Sequence, residues 1–150
     1  MFAKALIILA AIAVASAARV NLRACPGGVP MPAWFESNDC TTTKCTLRRG
    51  QVFTGRAQVT AAATFSTLVI QLRASLFGIP FPLEIPAGYE NACNFLEAGA
   101  TCPVQSGQTV VWALQFPVAS NYPAAQGVVI QSELNKFLLL LKVNLNLVLN

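Results

Sequence analysis

From Gly50 onward, apolar and polar residues alternate with a period of two along most of the chain. That alternation is the mark of strands with one face buried. In the first run Phe53, Ala57, Val59 and Ala61 point one way, and Thr54, Arg56, Gln58 and Thr60 the other. Leu68, Ile70, Leu72, Ala74 and Leu76 repeat the pattern against Thr67, Gln71, Arg73 and Ser75, and Gly78 ends that strand. Val110, Trp112, Leu114, Phe116 and Val118 alternate strictly, and Asn121-Tyr122-Pro123 makes a turn. Two last strands are predicted over residues 127–134 and 137–149, with Leu145, Leu147 and Leu149 opposing Asn144 and Asn146.

Two stretches break the pattern. Ile79-Pro80-Phe81-Pro82-Leu83-Glu84-Ile85-Pro86 alternates apolar residues with prolines. Each proline lacks the N–H that a ladder needs, which excludes both a helix and a central strand. An extended edge strand or rim is expected, turning Phe81, Leu83 and Ile85 to one side. Residues 20–49 are rich in turn signals, among them Cys25-Pro26-Gly27-Gly28 and Ser37-Asn38-Asp39, and read as a short strand followed by loops. Six or seven short strands, no helix past the N-terminal segment, no internal repeat and no second domain predict an all-β chain, an antiparallel sandwich.

The N-terminal segment stands apart from this pattern. Lys4 precedes an apolar run from Ala5 to Ala15, and Ala15-Ser16-Ala17 has the form of a cleavage site. Residues 1–17 are therefore expected to be a secretory signal peptide, and residues 18–150 one domain. A spanning helix would need about 20 apolar residues, whereas this run is shorter and is soon followed by Arg19. The later apolar stretch, residues 137–141, is closed by Lys142. The expected destination is extracellular, with the lysosomal lumen as the alternative.

Charge and chemistry narrow the function. The net charge of +4 is spread along the chain apart from the Arg48-Arg49 pair, with no basic block interleaved with aromatics, which argues against nucleic acid. A mild positive charge favours approach to anionic membranes, although a solvated loop explains Arg48-Arg49 equally well. The chain has no histidine. That removes the commonest general base, every Ser-His or Cys-His pair, and the usual switch between about pH 5 and 8. Six acidic residues form no catalytic motif and no phosphate-binding glycine loop precedes a helix, so neither an enzyme nor a cofactor is expected.

Five cysteines, Cys25, Cys40, Cys45, Cys93 and Cys102, read in an exported chain as a disulfide framework rather than a zinc site. Pairing near neighbours would give two short staples, each of roughly 2–3 kcal/mol by chain entropy, and leave Cys25 over.

Several local sequences now fall into a recognisable order. An early Cys25 is followed by Cys40-Thr41-Thr42-Thr43-Lys44-Cys45-Thr46-Leu47 leading to Arg49-Gly50-Gln51. Then come Gly78-Ile79-Pro80-Phe81-Pro82-Leu83, Cys93 leading to Cys102-Pro103-Val104, and Phe116-Pro117-Val118 leading to Tyr122-Pro123. In this order the chain resembles the MD-2-related lipid-recognition (ML) family, especially its Niemann-Pick type C-2 branch of secreted lipid carriers. Group 2 mite allergens belong to the same family.

The resemblance implies an immunoglobulin-like sandwich whose two sheets part slightly to hold a sterol, a fatty acid or a similar lipid, unchanged. It also implies disulfides Cys40–Cys45 and Cys93–Cys102. It places ligand-lining positions at Phe81, Leu83, Val118, Tyr122 and Pro123, to which Trp112 and Leu114 are added because they share the alternating face of Val118. For Trp112 and Leu114, filled core is the competing reading. The chain departs from the family where a sixth cysteine would pair with the first, so Cys25 is left free, buried as a small apolar group, or bridging two copies of an otherwise monomeric protein. The expected function is a lipid carrier, with a membrane acceptor protein as its further partner. Recognition of microbial lipid with handover to a receptor is the alternative and calls for a basic rim.

Overall fold

The structure is a computed structural model that describes residues 16–22, 31–134, 139–141 and 146–149. Most of the expected leader and Cys25 lie outside the described residues. The strands are β1 (Ala18–Arg19), β2 (Trp34–Ser37), β3 (Lys44–Leu47), β4 (Val52–Thr60) and β5 (Ile70–Leu76). They continue with β6 (Ile79–Phe81), β7 (Thr109–Pro117), β8 (Ala125–Leu134), β9 (Leu139–Leu141) and β10 (Asn146–Leu149). A single 3-10 turn, Ala92–Phe95, lies between β6 and β7.

Two sheets share these strands. One runs β1-β2-β4-β7, and the other β3-β10-β8-β5-β6 with β9 paired to β8. Side chains from both sheets meet in one core, where Phe35, Phe53, Val59, Trp112 and Phe116 face Leu47, Ile70, Ala74 and Val128. The immunoglobulin-like sandwich is thus the observed fold.

Register follows from burial. Strands β4 and β7 pair over nine residues with Phe53 opposite Phe116, Ala57 opposite Trp112 and Val59 opposite Val110. All six are buried, and a slip of one residue would turn the whole apolar set to water. Gly55 interrupts that row for a steric reason: a Cβ there would lie 2.6 and 2.7 Å from ring atoms of Phe35, which is itself buried.

Two expectations are corrected. The stretch 137–149, expected as one strand, is divided between β9 and β10, which pair with different parts of β8. The sandwich is also not antiparallel throughout, because β10 runs parallel to β3, with Asn146 opposite Lys44 and Leu149 opposite Leu47. Parallel neighbours need a long connection between them, and here nearly a hundred residues separate the two strands. Hydrophobic alternation carries no information about that direction.

The long loop between β6 and β7 ties the sheets together along one side. Ala92 N–H donates to the Leu68 carbonyl at 2.7 Å and Ile70 N–H to the Glu90 carbonyl at 2.8 Å, on the β5 side. Glu97 N–H donates to the Val111 carbonyl at 2.9 Å, on the β7 side. Within the loop Cys93 is disulfide-bonded to Cys102, and Asn91 Oδ1 accepts the Cys93 N–H at 3.0 Å, capping the 3-10 turn. A second disulfide, Cys40–Cys45, closes the turn between β2 and β3. Arg48 pairs with Asp39 at 2.7 Å beside that turn.

Candidate functional site

The prolines place the site. Strand β6 pairs with the outer edge of β5, with Phe81 opposite Ala74 and Ile79 opposite Leu76. The ladder stops at Phe81, and residues 82–86 run on without strand pairing. Phe81, Leu83 and Ile85 are half-buried against the core, while Pro80, Pro82, Glu84 and Pro86 are exposed. The segment therefore turns one apolar face inward as an unlaced rim. At this edge of the sandwich no strand pairing joins the rim to the other sheet.

Opposite this rim is the turn that follows β7. Val118 is buried and anchored in both directions, its N–H donating to the Gln51 carbonyl and its own carbonyl accepting from Gly50 N–H, each at 2.8 Å. Gly50 has a φ of 74°, a conformation that suits glycine at this close crossing. Tyr122 spans the gap between turn and rim. Its hydroxyl accepts the Glu84 N–H at 3.2 Å, and its ring meets Phe81 edge-on with centroids 6.0 Å apart. Its backbone carbonyl accepts from Arg49 Nη1 at 3.2 Å.

A cleft of about 610 Å³ opens between residues 82–87 and residues 117–123, with Tyr122 and Pro123 in its wall. A second, of about 350 Å³, lies on the other side of the rim and is lined by Leu72, Ala74, Phe81 and Leu83 together with Arg73 and Ser75. The segment 81–83 is thus a partition between two apolar hollows. Of the seven expected lining residues, Phe81, Leu83, Tyr122 and Pro123 face one of these clefts, Trp112 and Val118 face neither, and Leu114 lines only a third hollow, of about 220 Å³, beside Arg56 and Glu97. Trp112 and Val118 lie in the filled core, and Leu114 is half-buried opposite Gly55.

Sequence reasoning missed two features of the surface. The first is the tip of the β5–β6 hairpin, where Phe77 is 86% exposed and Ile79 70% exposed. Phe77 has a φ of 52° and Gly78 one of 82°, so a large apolar residue sits in a left-handed turn position usually given to Gly or Asn. The dipeptide Phe77-Gly78 was the available signal.

The second feature is a charge cluster on the outer face of the first sheet. Arg56 holds Glu97 with two guanidinium nitrogens, Nη2 at 2.6 Å and Nε at 2.9 Å, and reaches Glu36 at 3.0 Å. Trp34 lies 5.4 Å from the Arg19 guanidinium and 5.9 Å from that of Arg56. The hydrogen bond to Glu97 and the nearby carboxylate charges raise the Arg56 pKa above its ordinary value, against a smaller opposing effect of lost water contact. This cluster pins the 87–104 loop to the sheet and is not part of either cleft.

The family profile described as "ML domain" matches residues 19–136. The chain belongs to the ML-domain family. Among curated relatives, "NPC intracellular cholesterol transporter 2" of Sus scrofa is 30% identical over 129 residues, spanning 85% of this chain and 82% of the relative. The Bos taurus protein of the same name is 28% identical, spanning 83% and 80%. "Mite group 2 allergen Lep d 2" of Lepidoglyphus destructor is 26% identical, spanning 81% and 77%. Among solved structures, a Niemann-Pick type C2 protein from Japanese carpenter ant superposes with a TM-score of 0.62 at 18% identity, over 81% of this chain and 92% of that one. This ML domain carries no helix, among its described residues, long and apolar enough to cross a membrane.

Proposed function

We propose that this ML domain is a secreted carrier that reversibly buries a sterol or fatty-acid-like lipid between its sheets and performs no chemistry on it. The observation that carries the reading is the 610 Å³ cleft at the unlaced, proline-rimmed edge of a sandwich whose relatives include cholesterol transporters. Its volume falls within the range of about 300–1,000 Å³ common to small-molecule sites. Apolar walls reward burial at about 25 cal/mol per Å² of ligand surface, and a rim of prolines leaves no ladder to break when a lipid enters. The lining residues include one carboxylate, Glu84, and no cation. That favours a neutral lipid over the anionic microbial lipids that a basic rim would suit.

Delivery takes place at a membrane or a membrane acceptor, and the apolar hairpin tip at Phe77 and Ile79 lies on the strands that bear Phe81 and the smaller cleft. Native mass spectrometry of the secreted protein tests the carrier reading. A lipid adduct that delipidation removes and added cholesterol or oleate restores is expected. A bare mass throughout, with no uptake of either, sinks it.

A further inference from the structure

Buried polar side chains in folded proteins almost always find a partner. Leaving a donor dry and unpaired costs about 1–3 kcal/mol. Among the described residues one buried group breaks that rule. Nε1 of Trp112 has no hydrogen-bond partner, in a residue only 1% exposed. Ser37, the buried polar residue of the same sheet, is satisfied: its hydroxyl donates to the Thr54 carbonyl at 2.6 Å and accepts the Asp39 N–H at 3.1 Å.

The surroundings of Trp112 explain why no partner is at hand. It stands on the inner face of β7 opposite Ala57, flanked on that face by Val110 and Leu114, and on the other edge Leu96 bridges to its backbone. Its neighbours on that face are apolar, and backbone groups of β4 and β7 are taken up by pairing with each other, with β2 and with the 87–104 loop. A phenyl ring would pack here without an unmet donor.

We propose that the Trp112 indole N–H hydrogen-bonds an acceptor oxygen of the buried lipid, making Trp112 a specificity-determining residue for lipids that carry a neutral oxygen. The proposal rests on the carrier reading and extends it to substrate class. The inner face of β7 leads from Trp112 through Leu114 and Phe116 to Val118, on the turn that walls the larger cleft. Six residues of strand span about 20 Å, the reach of a long extended hydrocarbon chain. A lipid entering at that cleft and lying along β7, with the sheets parting around it, brings an inward-pointing oxygen to the indole.

Trp is a donor without acceptor capacity, so a ketone, an ester carbonyl or a hydroxyl fits it. A carboxylate does not suit the indole, because one neutral donor does not offset the cost of burying its charge in an apolar interior. A fatty acid such as oleate would therefore keep its carboxylate at the cleft mouth.

The test compares 2-pentadecanone with pentadecane, ligands of equal length that differ in one oxygen, on delipidated full-length secreted protein. The chain has two tryptophans, so the indole N–H signals in ¹⁵N-labelled protein are assigned with the Trp34→Phe variant. Saturation with the ketone is expected to move the Trp112 indole proton downfield, and pentadecane to leave it in place. Trp112→Phe should weaken ketone binding about five- to tenfold more than it weakens pentadecane binding. A ketone that binds without moving the indole proton overturns the proposal, as does a variant that loses both ligands equally, since that would be packing alone. If the variant does not fold, the wild-type indole shift decides by itself. Failure of both ligands and of cholesterol and oleate to bind would instead bring down the carrier reading with it.

Discussion

At Gly55 the missing side chain makes room for the ring of Phe35, across a gap that a Cβ would close to 2.6 Å. The ring is buried, so it can yield only by displacing its core neighbours. Gly55→Ala should therefore destabilise the fold by about 1–3 kcal/mol, the usual cost of overpacking, read as a lower urea midpoint at constant slope. An unchanged midpoint would mean that Phe35 has a second place to pack. The alternation of β4 was legible in the sequence, but this small residue within it was not, because its reason lies on another strand. The same holds for Arg56. Its outward direction follows from the pattern, whereas its partners Glu36 and Glu97 lie 20 and 41 residues away in sequence. Phe81 and Tyr122 were legible as a pair only through the family resemblance, since their ring contact bridges 41 residues.

The β5–β6 hairpin and the rim that follows show how one element divides its duties. Prolines without N–H groups end the ladder at Phe81, and that much could be read from composition alone. The exposed tip could not, because a strand pattern says nothing of what covers its end. Phe77 occupies a left-handed conformation that Asn adopts far more readily than a large aromatic. Phe77→Asn is expected to leave the thermal midpoint unchanged or raise it. It should slow lipid transfer to phosphatidylcholine vesicles several-fold while equilibrium uptake stays the same. Transfer at the parent rate would show that the tip is not the surface that meets the membrane.

For the molecule as a whole, the absence of histidine sets the pH behaviour. No imidazole titrates between about pH 5 and 8, and none of Glu36, Asp39, Glu84, Glu90 and Glu97 is fully buried. Lipid release to vesicles, followed by fluorescence of a labelled sterol, should therefore be flat across about pH 5.5–7.5. A sigmoidal rise within that window would show that release is governed by a titrating group other than an imidazole. Arg56 contributes nothing there: its pKa is raised, so any stability it lends is lost only in alkali well above that window.

What the sequence determined by itself was the strand period, the proline rim, the cysteine set and the absence of histidine. Each of these is a property of neighbouring residues or of composition, and local sterics and hydrogen-bonding capacity are enough to read it. What only the tertiary structure decided was which residues face a cleft and which fill the core. Phe81, Leu83, Tyr122 and Pro123 went one way, and Trp112 and Val118 the other, although all are apolar and sit on strands or turns of similar pattern. The reason is physical: alternation tells which side of a sheet a residue points to, but whether that side meets a packed layer or an open edge depends on strands far away in the chain. The parallel pairing of β10 with β3 and the unpaired indole of Trp112 belong to the same class, set by neighbours that come together only in the folded sandwich.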